Sequence, residues 1–224
     1  MRKIKGFTLA EILITLGIIG VVAAITIPGL ITNYQKRSTA TQLKKAYSLL
    51  VNASRQAIAD DDLTYNPPEV YDVALGSHDK YGIFATYFAP YMSGSTVKIS
   101  NWRAKTPAGE EVYSVGTFQN GCYLANNGMC FRMTNHGTNY FYVVVDLNGP
   151  SGPNRVGRDV FYFALHFIDT GVKIDGHVWQ VNERTSRDEL IRRCGKEATG
   201  WSGGSACTEL IMRSGWEITK DYPW

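Results

Sequence analysis

The sequence contains none of the short motifs that mark common catalytic sites. Its 224 residues include no Gly-x-Ser-x-Gly elbow, no phosphate-binding glycine loop and no His-Glu-x-x-His pair. The four histidines, His78, His136, His166 and His177, are scattered and form no catalytic pattern. We therefore expect a protein that is not an enzyme, and a membrane-anchored extracytoplasmic enzyme is the least favoured alternative.

The chain also has almost no net charge beyond its first five residues. It carries 23 Lys and Arg against 20 Asp and Glu, a formal charge of +3. Arg2, Lys3 and Lys5 account for this whole excess, so the rest of the chain is formally neutral. Net charge therefore gives no support for nucleic-acid binding or for a role on a membrane surface.

No charged residue occurs between Glu11 and Lys36. A helix needs about 20 apolar residues to cross the hydrocarbon of a bilayer, and this run supplies them. The basic residues before it predict a cytoplasmic N-terminus and export of the remaining chain. A secretory signal peptide cleaved near Ala23-Ala24 and an uncleaved anchor are the alternatives. The signal peptide is disfavoured because the apolar run continues to Ile31.

Glu11 is the acid at the front of this apolar run. An unpaired carboxylate in a membrane costs roughly a few kcal/mol, so it calls for a partner. A free amine created at Phe7 is the only nearby group of this chain that is expected to pair with it. The segment Lys5-Gly6-Phe7-Thr8-Leu9-Ala10-Glu11 resembles the processing motif of type IV pilins and of the related pseudopilins of type II secretion. Its place at the start of the chain, directly before the apolar run, strengthens the resemblance.

The resemblance implies a processing and assembly pathway. A prepilin peptidase would cleave after Gly6 and methylate the new N-terminal residue, Phe7. Glu11 would stay unpaired until it meets the N-terminal amine of a neighbouring subunit. The implied partners are other pilin or pseudopilin subunits, the peptidase and the assembly platform of the bacterial inner membrane. The chain would cross that membrane once before it enters an extracellular pilus or a periplasmic pseudopilus.

Pro28-Gly29 interrupts the helical pattern. A proline inside a helix removes one hydrogen bond and clashes with the preceding turn, at a cost of about 3 kcal/mol. We therefore expect a kink or a segment that loosens locally. The resemblance implies that the helix loosens at this proline within the filament.

We divide the chain into four segments: a leader peptide (1–6), a hydrophobic membrane or filament-core helix (7–32), its amphipathic continuation (33–62) and a globular domain (63–224). The apolar positions of the amphipathic part recur at helical spacing: Tyr34, Ala40, Leu43, Tyr47, Leu50 and Ala57. We expect this helix to end near Asp60-Asp61-Asp62, since acids are unfavourable at the negative end of the helix dipole.

Alternating β-branched and aromatic residues predict strands over 140–147 and 159–167. In the second strand, Phe161, Phe163 and Leu165 share a core-facing side and His166 lies on the opposite side. The predicted class is α+β, with a long N-terminal helix packed on an antiparallel sheet and a disulfide-stapled C-terminal region. The pilin resemblance implies the same ladle-shaped fold.

Further elements are predicted from turn and capping residues. We expect 111–118 to pair with 129–133, and Asp175-Gly176 to turn a hairpin between 172–174 and 177–181. Short helices are expected at 79–90, from the capping box at Ser186 to about Cys194, and at 208–213.

The four cysteines fall into two close pairs. In an exported chain an even number of cysteines favours disulfides, and three pairings are possible. We favour Cys122 with Cys130 and Cys194 with Cys207, because each bond then closes a short loop. A zinc site is disfavoured because neither pair has the spacing of a structural zinc site.

The loop between the two clearest strands carries four oxygen-bearing side chains, Asp146, Asn148, Asn154 and Asp159. Calcium prefers such ligands on a rigid loop, and some pilins and pseudopilins bind calcium in their globular domain. The EF-hand pattern nevertheless fails, because Gly157 stands where its glutamate is expected. A turn-rich connection in which Asn and Asp bond their own backbone is the favoured interpretation, and no cofactor is expected.

The sequence leaves open whether the filament would be a pilus or a pseudopilus, and whether the chain is a major or a minor subunit. A minor or tip subunit that binds a surface, a sugar or DNA is the alternative function. Trp102, Trp201 and Trp224 would be its candidate contact residues, although core packing is the simpler role for each of them.

Overall fold

The computed structural model describes residues 8–60, 84, 88–92, 97–99, 102–112, 122–135, 140–168, 171–178, 180–199 and 203–224. A single long helix, α1, spans Leu9–Ala59. Six strands follow, namely β1 (Val97–Ile99), β2 (Cys122–Leu124), β3 (Cys130–Asn135), β4 (Tyr140–Asp146), β5 (Val160–Ile168) and β6 (Gly171–Asp175). Two short helices, α2 (Arg187–Cys194) and α3 (Cys207–Arg213), complete the domain, and Ala89–Tyr91 forms a 3-10 turn.

The six strands form one antiparallel sheet in the order β1-β2-β3-β4-β5-β6, so each strand pairs with its neighbours in sequence. The long central pair sets the register, with Val143 opposite Phe163 and Val145 opposite Phe161. Such β-branched and aromatic cross-strand pairs stabilise a sheet.

The chain divides into two compact units between Ser38 and Thr39. In the first unit α1 carries apolar side chains that are exposed to the surroundings. The second unit contains the last part of α1, the sheet and the two short helices. The four-segment division proposed from the sequence stays a prediction.

The main core of the second unit lies between α1 and one face of the sheet. The helix contributes a stripe at alternating spacings of three and four residues, Leu43, Ala46, Leu50, Ala53 and Ala57, all fully buried. This stripe belongs to one cluster with Phe131, Val143 and Phe163. The three alanines are small and allow the helix to approach the sheet closely. Leu43 and Leu50 therefore contribute most of the helix side-chain volume at this contact.

The opposite face of the sheet is buried as well. Tyr142, Val144 and Tyr162 alternate with the main-core residues and belong to a second cluster with Trp102. The central strands β4 and β5 are therefore covered on both sides, which explains their nearly continuous apolar sequences.

The structure confirms the predicted class, a long helix packed on an antiparallel sheet. Helix α1 ends at Ala59, β4 and β5 lie where the alternation placed them, and Ser186 caps α2 by accepting a hydrogen bond from the Glu189 backbone N–H at 3.2 Å. His166 lies on the side of β5 opposite the main core, half-buried, with its Nε2 3.3 Å from Asp175 Oδ1.

One strand pairing expected from the sequence is wrong. Strand β6 pairs with β5, and residues 177–178 and 180–181 form no strand. After Asp175 the chain leaves the sheet in a turn, in which the Asp175 carboxylate accepts a hydrogen bond from the His177 N–H at 2.9 Å. Strand β3 pairs with β2 and β4, and the expected pairing of β3 with 111–118 stays a prediction because most of that segment lies outside the described residues.

Tyr34, the first apolar position of the amphipathic part of α1, is 72% exposed. Burial on α1 begins only at Ala40, inside the second unit. The predicted helix over 79–90 and the strand over 111–118 lie mostly outside the described residues. Within the first of these, Phe84 and Phe88 are buried and their rings stack at 6.2 Å.

Candidate assembly interface

The first part of α1 presents an unbroken apolar surface. Its large exposed hydrophobic side chains are Leu9, Ile12, Leu13, Ile14, Leu16, Ile18, Ile19, Val21, Val22, Ile25, Ile27, Leu30 and Ile31. Burial of each such side chain is worth about 1.5–3 kcal/mol. By length and composition, α1 is able to cross a membrane. This surface therefore calls for lipid or for neighbouring apolar helices as its surroundings.

Thr8 and Glu11 form a capping box at the start of α1. The Glu11 Oε2 atom accepts hydrogen bonds from the Thr8 backbone N–H at 2.8 Å and from the Thr8 hydroxyl at 2.9 Å. Thr8 Oγ1 accepts in turn from the Glu11 backbone N–H at 3.3 Å. The box satisfies two amide donors that a helix N-terminus otherwise leaves without partners.

This geometry corrects the expectation that, apart from the Phe7 amine, Glu11 has no partner within its own chain. The signal was present in the sequence, because Thr8-Leu-Ala-Glu11 fits the Ser/Thr-x-x-Glu pattern of a capping box. Both hydrogen bonds reach the same oxygen, Oε2. Glu11 Oε1 accepts none from the residues that the structure describes, so one carboxylate oxygen is open to a second donor. Gly6 and Phe7, the predicted cleavage site and new N-terminus, lie outside the described residues.

Pro28 lies within α1, and the helix continues through it. Because proline has no N–H, the Ala24 carbonyl loses its usual helical donor. A Cβ atom added at the neighbouring Gly29 would meet no atom within 4 Å. The side chain of Thr32 donates to the Pro28 carbonyl at 2.9 Å. Local loosening of the helix at Pro28-Gly29 stays a prediction.

The loop between β4 and β5 is organised by two buried acids. Asp146 accepts hydrogen bonds from the Trp102 indole N–H and, at 3.2 Å, from the Asn148 backbone N–H. Asp159 accepts from the backbone N–H groups of Asn154 at 2.8 Å and Arg155 at 2.6 Å. These contacts are of the kind that the turn interpretation predicted.

Burial, with a smaller contribution from the charge of Asp159, raises the pKa of Asp146 to about 7, although the hydrogen bond from Trp102 opposes the increase. Burial also raises the pKa of Asp159, although backbone hydrogen bonds from Arg155 and Asn154 oppose the increase. Asp146 and Asp159 are neighbours and are difficult to ionise at the same time, so we expect the loop to release a proton near neutral pH.

Three of the four calcium candidates, Asp146, Asn148 and Asp159, make hydrogen bonds within the loop. Internal donors already occupy the oxygens of Asp146 and Asp159, and the Asn148 amide donates to the Gly152 carbonyl at 3.3 Å. Asn154 Oδ1 is buried and accepts no hydrogen bond from the described residues. No group of three or more His, Cys, Asp or Glu in the described part of the chain is arranged to hold a metal. Calcium binding by these four side chains stays a prediction.

Both disulfides follow the pairing favoured from the sequence. Cys122 bonds Cys130 across the β2–β3 hairpin, and Cys194 bonds Cys207 between α2 and α3. All four cysteines are buried, and none is free to ligate zinc.

The three candidate contact tryptophans differ in their surroundings. Trp102 is only 3% exposed and its indole N–H is bound to Asp146, so it is a core residue. Trp201 lies outside the described residues. Trp224 is partly exposed, and the guanidinium carbon of Arg158 lies 5.0 Å from its ring centroid.

Two family models match the chain. The model described as "Family of unknown function (DUF6613)" matches residues 29–224. The model described as "Prokaryotic N-terminal methylation motif" matches residues 1–27, which include Gly6, Phe7 and Glu11. Comparisons with curated proteins and with solved structures gave no match.

Proposed function

We propose that this chain, which belongs to the family of unknown function DUF6613 and carries the N-terminal methylation motif of type IV pilins and pseudopilins, is a subunit of a filament assembled from the inner membrane. One observation carries the proposal. The methylation motif stands directly before a helix whose large apolar side chains are exposed from Leu9 to Ile31.

The methylation motif identifies a pilin- or pseudopilin-type precursor, of the kind that prepilin peptidase processes. Such a precursor is a structural protein. In the proposed pathway the peptidase cuts after Gly6 and methylates Phe7. Cleavage removes all three basic residues of the leader, so the product is formally neutral. It also creates a free amine at Phe7, two residues before Leu9, where α1 begins.

In the proposed assembly step, a neighbour's Phe7 amine meets the Glu11 carboxylate. The Thr8 donors already hold Oε2 at the helix start, and Oε1 is available to the amine. A salt bridge between these groups would remove an otherwise unfavourable charge from apolar surroundings. The capping box therefore supports a carboxylate that is positioned before its partner arrives.

Lipid would cover the apolar part of α1 before assembly, and the same parts of neighbouring helices would cover it in the filament. Since lipid tails are as apolar as the side chains, transfer between the two gains little from the hydrophobic effect. The packing between helices and the salt bridge between Glu11 and a neighbour's Phe7 amine would then decide whether a subunit leaves the membrane. The two disulfides suit a domain delivered to an oxidising compartment.

Mass spectrometry of the chain purified from a host with a prepilin peptidase tests the first step. The expected product begins at Phe7 and carries one N-methyl group. Gly6→Ala should yield only the uncleaved precursor. A mature N-terminus elsewhere, such as after Ala24, would identify a signal peptide and contradict the proposal.

A further inference from the structure

A surface cavity of about 370 Å³ lies beside Trp224. Ile191, Arg192, Gly195, Lys196 and Glu197 line one side of it, where α2 ends, and Pro223 and Trp224 line the other. Cavities of this size hold small ligands in other proteins. We call this cavity the Trp224 groove.

The groove is bordered by cations. A smaller neighbouring cavity shares Trp224 and Lys196 with it, and Arg155 and Arg158 line that cavity too. Arg155, Arg158 and Lys196 form no ion pair within the described part of the chain. Arg192 is different, since its guanidinium binds Glu189 at 2.6 Å. Among the residues that the structure describes, Glu197 is the one acidic side chain lining either cavity, so positive charge predominates.

The segment that carries Trp224 is held rigidly. Arg187 donates to both carboxylate oxygens of Asp221, at 2.9 and 3.0 Å, and also to the Thr219 hydroxyl at 3.0 Å. The Tyr222 hydroxyl is buried and donates to the Gly157 carbonyl at 2.7 Å, which ties the segment to the β4–β5 loop. A ligand would therefore meet groups that are already ordered, and ordering them would cost little on binding.

We propose that the Trp224 groove binds a sugar that bears a carboxylate or phosphate group. The partly exposed indole of Trp224, with the Arg158 guanidinium 5.0 Å from its ring centroid, offers its remaining apolar surface to the C–H face of a sugar ring. Lys196 and Arg158 offer charge to the anionic group of the sugar. A nucleic-acid strand is a poorer match, because successive bases need successive aromatic side chains, and among the described residues Trp224 is the only aromatic one lining either cavity. The groove shares no residue with the candidate assembly interface, so this inference does not rest on the proposed function.

Titration calorimetry on the full chain in detergent micelles tests the groove. The probes are glucuronic acid and glucose 6-phosphate, with glucose and inorganic phosphate as controls. Both anionic sugars should bind saturably, at least about tenfold more tightly than either control. Trp224→Ala and Lys196→Ala should each weaken this binding by about tenfold or more, whereas Arg184→Ala removes an exposed cation elsewhere and should leave it unchanged.

Each other outcome overturns the proposal. Absence of saturable binding by both anionic sugars means that the groove is not such a site. If glucose binds as tightly as the anionic sugars, the cations play no part in recognition. If inorganic phosphate binds as tightly as they do, the sugar ring plays no part. Lys196 is exposed, so its substitution should not disturb folding, and undiminished binding by Lys196→Ala would by itself place the ligand elsewhere.

Discussion

Glu11 accepts hydrogen bonds from both the backbone N–H and the hydroxyl of Thr8, and both bonds reach the same carboxylate oxygen. The carboxylate is therefore held at the first turn of α1 while its other oxygen stays available. Thr8 is a positioning residue in this arrangement, because it acts only through Glu11.

Replacing Thr8 with Val should loosen the first turn of α1. The substitution removes the hydroxyl, which makes two of the three capping contacts, and loss of an N-cap costs about 1 kcal/mol. Amide hydrogen exchange at residues 9–12, measured in micelles, should accelerate by about fivefold. Thr8→Ser keeps the hydroxyl and should exchange like the unmodified chain. Unchanged exchange in Thr8→Val would show that the hydroxyl does not hold the turn.

Leu43 and Leu50 should dominate the contact between α1 and the sheet. Each is fully buried, and a Leu→Ala change in a packed core lowers the free energy of unfolding by about 2–5 kcal/mol. Denaturant unfolding followed by tryptophan fluorescence in micelles measures the change. Leu13→Ala, on the exposed part of α1, is the matched control and should leave domain stability unaltered. Equal effects from Leu13 and Leu43 would contradict this division of the helix.

The domain should lose stability as the pH rises from about 4 to about 7. Burial raises the pKa of Asp146 to about 7, above its usual range, so the folded state holds a proton that the unfolded state has released. The free energy of unfolding then falls by up to about 1.4 kcal/mol per pH unit between the unfolded and folded pKa values, and levels off above the folded pKa. The raised pKa of Asp159 acts in the same direction.

Asp146→Asn provides the control for this pH dependence. Asparagine resembles the protonated acid, with one acceptor oxygen and one hydrogen-bearing group. The variant should match the unmodified chain near pH 4, close to the unfolded pKa, and be the more stable of the two at pH 7 and above. An identical pH profile for both chains would rule out Asp146 as the source.

Gly157 should be intolerant of a side chain because it packs against the Cys194–Cys207 disulfide. A Cβ at Gly157 would lie 2.7 Å from Cys207 Sγ. Gly128 has nearly the same backbone angle, φ +84° against +81°, but open space around it. Gly157→Ala should thus lower the melting temperature clearly more than Gly128→Ala, since only the first adds a steric clash to the strain of a positive φ. Similar losses would mean that the disulfide contact is unimportant.

The sequence predicted the features that depend on long, regular patterns. The uncharged run before Lys36, the helical spacing of Leu43 and Leu50 and the alternation around Phe163 each give a period strong enough to identify an element. Close spacing of the cysteines likewise favoured the pairing that the structure has.

Features that depend on distant contacts could not be predicted in this way. Asp175-Gly176 has the composition of a hairpin turn, yet Gly176 lies against the Glu209 backbone of α3, where a Cβ would be 2.6 Å from the Glu209 nitrogen. This packing directs the chain away from the sheet. Similarly, nothing local to Trp102 indicates that its indole binds Asp146, 44 residues further along the chain.

The charge of Glu11 is the centre of the proposed assembly step, and Glu11→Gln tests it most directly. Glutamine still completes a capping box with Thr8, so the substitution removes the charge while it keeps the structure of the first turn. The measurement is the fraction of mature chain recovered in sheared filaments, or in a pseudopilus reconstituted with the cognate peptidase and assembly platform. Glu217→Gln, at an exposed position, is the control. We expect Glu11→Gln to be cleaved normally and to begin at Phe7, but to enter filaments at least about tenfold less than the control. Normal incorporation of correctly processed Glu11→Gln would contradict the account.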